Sequence, residues 1–127
     1  MKLRLFLTAA FAAAAATLAA PAAAHAGPND NLNASVSGIS PQAAGTCPYT
    51  AFCLYTDTYF GGQMFVMYAC GDYALFNWNG HGSVVNNQTP GTWADLLDQN
   101  RNPIHGFAYR SDAPYVDFDP YWYAQPC

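Results

Sequence analysis

Two short apolar runs, Phe52-Cys53-Leu54-Tyr55 and Met64-Phe65-Val66-Met67-Tyr68, stand on either side of the polar, glycine-ended stretch Thr56-Asp57-Thr58-Tyr59-Phe60-Gly61-Gly62. Runs of this length, rich in aromatic residues and bounded by turn formers, predict strands. We place them over 51–57 and 63–70, closed into a β-hairpin by the stretch between. Glycine at 61 and 62 permits positive φ, so the connection can fold back over the sheet. Residues 71–73 then turn the chain, 74–78 read as a single helical turn or a crossing segment, 79–82 as loop, and 83–87 as a short strand. In the second half, 92–98 fits strand or helix, 99–103 is a turn cluster, and 106–110 is another strand. Between 115 and 122 the apolar Val116, Phe118 and Trp122 alternate with Asp117 and Asp119, which predicts an edge strand with one buried face. Pro120 agrees with an edge. No window shows a capped period of 3.6 residues, and the fold class is all-β.

The spacing Tyr55-x-x-x-x-Phe60-x-Gly62 resembles the hairpin signature of βγ-crystallin Greek keys, in which a later serine hydroxyl ties down the folded hairpin. Ser83 stands where that serine would be. Such a tie has a physical reason: a folded-over hairpin leaves backbone groups without ladder partners, and a hydroxyl both donates and accepts. The resemblance implies a single βγ-crystallin-like Greek-key sandwich, and four short elements between residues 51 and 87 match one such unit. The sequence shows no second copy of the signature.

The chain opens Met-Lys-Leu-Arg, runs almost without polar residues from Leu5 to Ala20, and reaches Ala24-His25-Ala26. This is the pattern of a secretory signal peptide over 1–26, and it implies an exported protein. Residues 27–46 offer few large aliphatic side chains and are expected to form a flexible arm. The folded domain is then 47–127. No later stretch is long and apolar enough to be read as a membrane-spanning helix.

Beyond residue 26 the chain carries Arg101 and Arg110 against eight aspartates, with no lysine or glutamate, a formal charge of −6. Such a surface does not neutralise a phosphate backbone or an anionic membrane, so nucleic acid and membrane are excluded as partners. All four cysteines, Cys47, Cys53, Cys70 and Cys127, lie in the exported portion, where two disulfides are the default. Three pairings are possible. We expect Cys47–Cys53, which closes a short ring leading into the first strand, and Cys70–Cys127, which anchors the last residue.

Candidate chemistry is sparse. There is no Gly-x-Ser-x-Gly, His-Glu-x-x-His or phosphate-binding glycine loop, and His81 reads as a loop histidine, so the chain is not expected to be an enzyme. Crystallin-type motifs often bind calcium through Asn/Asp-Asn/Asp-x-x-Ser/Thr-Ser. Here Asn79-Gly80-His81-Gly82-Ser83-Val84 keeps the first and fifth positions and loses side-chain oxygens at the second and last. Asn79, Gly80 and Ser83 are thus a weak calcium set, and no other cofactor is implied. The aromatic tail Tyr115, Phe118, Tyr121, Trp122 and Tyr123 is expected to be core and rim of a small β domain rather than a sugar platform.

Taken together, the signal peptide, Cys47-Pro48 with Cys53-Leu54-Tyr55, the hairpin, and Trp78-Asn79-Gly80 with Ser83-Val84-Val85-Asn86-Asn87 resemble the secreted bacterial metalloproteinase-inhibitor family, peptidase inhibitor family thirty-six. The resemblance covers roughly residues 47–89. It implies a monomeric, extracellular inhibitor of thermolysin-like zinc proteases that presents a disulfide-braced loop. The nearest segment here is Pro48, Tyr49, Thr50, Ala51 and Phe52 inside the Cys47–Cys53 ring, with Phe52 as the expected apolar anchor. The same scaffold also suits a calcium-binding structural or stress protein and a small antimicrobial toxin.

Overall fold

Phe52 and Leu54 alternate with Cys53 and Tyr55 along one strand, and all four are buried, so this strand is covered on both faces. Its neighbours follow from that. A computed structural model of the chain describes residues 31–127, so the signal peptide expected over 1–26 lies outside the described residues. Ten strands occur among them: β1 (Ser35–Val36), β2 (Gln42–Ala43), β3 (Ala51–Tyr55), β4 (Gln63–Met67), β5 (Tyr73–Phe76), β6 (His81–Asn87), β7 (Ala94–Leu97), β8 (Pro103–Phe107), β9 (Asp112–Asp117) and β10 (Tyr123–Gln125). A single 3₁₀ turn, Thr58–Phe60, joins β3 to β4.

The strands make two antiparallel five-stranded sheets, ordered β2-β4-β3-β6-β9 and β1-β5-β10-β7-β8. Of the four strands β3 to β6, the third crosses to the opposite sheet. Of the four strands β7 to β10, the third crosses back. The second half thus repeats the strand arrangement of the first, although its sequence carries no copy of the hairpin signature. Between the sheets lie Phe52, Leu54, Phe65, Met67, Val84, Leu96, Phe107 and Phe118, with Trp78 at 5.6 Å from Phe65 and 4.6 Å from Phe118 by ring centroids. The Trp78 indole N–H donates to Ser35 O at 3.0 Å, which satisfies its one polar atom. A second cluster of Ala51, Cys53, Tyr55, Met64 and Val66, with Phe60 and Val85 against it, covers the outer face of the first sheet.

Several expectations are corrected. From residue 31 the arm expected over 27–46 is built into the fold: Ser35 and Val36 pair with Phe76 and Leu75, and Gln42 and Ala43 pair with Met64 and Gln63. Asn31 is fully buried, donating to Thr56 O and His81 O and accepting from Asn79 N, so polar anchoring replaces the missing aliphatic bulk. Of the two readings of 74–78 the crossing segment holds, since β5 passes to the second sheet as a strand and no helical turn forms there. Asp98 accepts from the amides of Asn100 and Asn102 at 2.8 and 2.9 Å, and this tight loop starts the next strand at Pro103, earlier than the expected 106–110. The edge strand begins at Asp112 and ends at Asp117; Trp122 is half-exposed instead of buried with Val116 and Phe118.

Candidate functional site

The Ser83 hydroxyl ties the folded hairpin to β6. Ser83 Oγ donates to Asp57 O at 2.7 Å and accepts from Phe60 N at 2.8 Å. Tyr59 and Phe60 sit at φ 53° and 62°, a left-handed conformation that side chains adopt at a cost, and the Ser83 contact fixes it. Gly62, at φ 75°, leaves no room for a Cβ, which would fall onto Thr56 Oγ1. The Tyr55 ring packs edge-on against Phe60 with centroids 5.6 Å apart, covering the turn. Tyr55 OH donates to Gly45 O at 2.8 Å, and burial raises its pKa above the ordinary tyrosine value against a smaller opposing contact from the Cys47 backbone. Tyr55, Phe60, Gly62 and Ser83 therefore form one unit, and its work is structural.

Both disulfides form as paired in the sequence: Cys47–Cys53 with Cα atoms 5.9 Å apart, and Cys70–Cys127 with Cα atoms 5.2 Å apart. Their surroundings differ sharply. In the short ring, Ala51, Phe52 and Cys53 are each 0% exposed, and Phe52 packs 6.1 Å from Phe107 in the core. Its backbone is also engaged. Thr50 N donates to Asn87 O, Ala51 N to Pro48 O, and Asn87 Nδ2 to Cys47 O. The expectation that Phe52 anchors a protease contact is corrected, because the side chain belongs to β3 and points between the sheets. Of Pro48 to Phe52, Tyr49 and Thr50 alone are exposed.

The connection from β4 to β5 presents the opposite situation. Residues 68–72, Tyr68-Ala69-Cys70-Gly71-Asp72, are exposed without interruption. Tyr73 OH donates to Ala69 O at 3.0 Å, Gln125 Nε2 donates to Asp72 Oδ1 at 2.9 Å, and Arg101 approaches Asp72 Oδ2 at 3.5 Å. Cys70 is tied to Cys127 in the middle. Sequence reasoning passed over this loop because it extended the second strand to Cys70; the signal was Cys-Gly-Asp, a turn composition following the last alternating residue, Met67.

The weak calcium set Asn79, Gly80 and Ser83 lies at the start of β6 and in the loop before it. Ser83 is buried with its oxygen engaged in the hairpin, and the backbone amides of Asn79 and Gly80 donate to Asn31 Oδ1 and to Asp119 Oδ1. Among the described residues, no cluster of three or more His, Cys, Asp or Glu side chains is placed to hold a metal. A cavity of about 490 Å³ lies on the outer face of the first sheet, lined by Tyr55, Phe60, Val85, Asn87 and Asp112 with residues 44–47. The tail aromatics divide: Phe118 is core, Tyr121 half-buried, and Tyr115 lies stacked on His81 with ring centroids at 4.2 Å.

Compared with known families, residues 40–101 match the model of peptidase inhibitor family I36. This segment is similar to peptidase inhibitor family I36. No curated protein and no solved structure matches the chain. The I36 segment spans β2 to β7 and so contains the Ser83-tied hairpin, the Cys47–Cys53 ring and the exposed loop 68–72. Strands β8 to β10 and Cys127 lie beyond it. The I36 match begins seven residues ahead of Cys47, inside the stretch expected to be an arm, in accord with the pairing of β2 to β4. No helix among the described residues is long and apolar enough to cross a membrane.

Proposed function

We propose that this protein is an exported inhibitor of extracellular metalloproteases, built on a βγ-crystallin-like Greek-key scaffold, that acts by occupying the protease cleft and not as an enzyme. The observation that carries this reading is the I36 match over residues 40–101. The exchange of a third strand between the two sheets and the serine-tied hairpin support the crystallin-like scaffold. Two disulfides and a signal-peptide pattern support export. Inhibition by occupation needs a surface that loses little freedom on binding, which a disulfide-braced β sandwich supplies. No cofactor enters this mechanism.

The test is a titration of the oxidised chain lacking residues 1–26 against thermolysin, with a subtilisin-type protease as contrast. The proposal expects thermolysin activity to fall linearly to zero at an equimolar ratio and the subtilisin-type enzyme to stay active. Cleavage of the protein with thermolysin activity intact would contradict it.

A further inference from the structure

A chain segment suited to a protease cleft must meet three conditions. Its backbone has to be free to pair in extended form, its side chains have to be accessible, and its shape has to be fixed before binding so that ordering costs little. The two disulfide-linked segments separate cleanly on these conditions. In the Cys47–Cys53 ring the amides of Thr50 and Ala51 and the carbonyl of Cys47 are already bonded, and Cys47, Ala51, Phe52 and Cys53 are in the core. Residues 68–72 are the reverse. All five are exposed, and among the described residues none of their backbone amides donates to a backbone carbonyl.

The braces of this loop act from its sides. Cys127 holds Cys70, Tyr73 OH holds the Ala69 carbonyl, and Gln125 with Arg101 holds the Asp72 carboxylate. Arg101 is itself seated over the Tyr123 ring at 4.8 Å. Four contacts, from β5, from β10 with the residues after it, and from the β7–β8 connection, thus fix the loop and leave the Tyr68 side chain exposed. Tyr68 is 60% exposed, directly after the buried Met67, and so stands on a rigid base. A bulky aromatic on a fixed stem is the type of residue that anchors interfaces.

We propose that residues 68–72, braced by Cys70–Cys127, are the segment that enters the metalloprotease cleft, with Tyr68 as its side-chain anchor. The proposal rests on the inhibitor reading above and adds where the contact is made. The Cys47–Cys53 ring then serves the scaffold, pinning the start of β3.

The experiment measures the inhibition constant for thermolysin with the oxidised wild-type chain and with Tyr68→Ala, Tyr49→Ala and Tyr59→Ala. All three tyrosines are exposed, so melting temperatures should stay within a few degrees and separate contact from folding. We expect Tyr68→Ala to weaken inhibition by about tenfold or more and the other two to change it by less than about twofold. Wild-type inhibition that is unchanged in Tyr68→Ala, or lost in Tyr49→Ala instead, overturns the loop assignment while the inhibitor reading survives. A wild-type chain that leaves thermolysin fully active overturns both.

Discussion

The Ser83 hydroxyl accepts the Phe60 amide at 2.8 Å while donating to the Asp57 carbonyl at 2.7 Å, so a single side chain on β6 closes a hairpin that begins in β3. The two atoms it satisfies have no other partner in the fold-over. Through this contact the first sheet gains a cover of Phe60 on Tyr55, and the outer cluster becomes a second small core.

Replacing Ser83 with alanine leaves both backbone groups short of a partner at a part-buried turn. The expected loss is about 2–3 kcal/mol, read as a lower urea midpoint with an unchanged slope. A loss under about 0.5 kcal/mol would mean that water replaces the hydroxyl there.

Gly62 needs its left-handed φ and has no space for a Cβ, whereas Gly45 has open space around its Cβ direction and no positive φ. Gly62→Ala should therefore lower stability by about 1 kcal/mol from conformation alone, with the Thr56 clash added, and Gly45→Ala should be nearly neutral. Equal melting temperatures for the two variants would count against the folded hairpin.

The parts of this fold that were legible in the sequence are those where local chemistry and tertiary context agree. The strands around 51–57 and 63–70 are unbroken apolar runs bounded by turn-rich stretches, and the hairpin, Ser83 and both disulfides all follow from residues close in sequence or few in number. The second half was harder, because Leu96 and Leu97 sit side by side and both are buried, so no period of two shows. The stretch 31–46 misled because beyond Ala34 and Val36, which join the core, its order comes from Asn31, Ser37 and backbone pairing: Ser37 Oγ accepts the Ala74 amide at 2.9 Å, a contact no composition reveals. Phe52 misled for the converse reason. An aromatic inside a short cysteine ring reads as exposed until the sheet that buries it is known.

Tyr55 titrates above its ordinary value of 10.0, chiefly because burial disfavours the phenolate. The unfolded chain gives up this proton first, so it binds fewer protons than the folded state above about pH 10, and stability falls as pH rises. The contribution is complete below the unfolded pKa and is lost as pH climbs through the folded one. Tyr121 is raised as well, by burial and then by the nearby charge of Asp117. Urea midpoints from about pH 9 to 11.5 should decline less steeply in Tyr55→Phe than in the wild type, and less steeply still in the Tyr55→Phe, Tyr121→Phe double variant. An identical slope in all three proteins would contradict the assignment.

The two disulfides should respond differently to reductant. Cys47 and Cys53 are buried, whereas Cys70 and Cys127 are both exposed, so a mild phosphine should open the long ring first and label Cys70 and Cys127. The partners lie 57 positions apart, against 6 for the short ring. By chain entropy the loss is about 4 kcal/mol for the long ring and about 2.4 for the short one. Peptide mapping after partial reduction checks the order, and labelling of Cys53 first would reverse it.

Cleft occupation is tested most directly by competition. Thermolysin inhibition by the oxidised chain is measured at increasing concentrations of a small active-site-directed inhibitor of thermolysin. If the chain fills the cleft, its apparent inhibition constant rises linearly with the concentration of the small molecule and does not level off, and the two never bind together. An inhibition constant that stays the same while the small molecule saturates the zinc site would contradict the account.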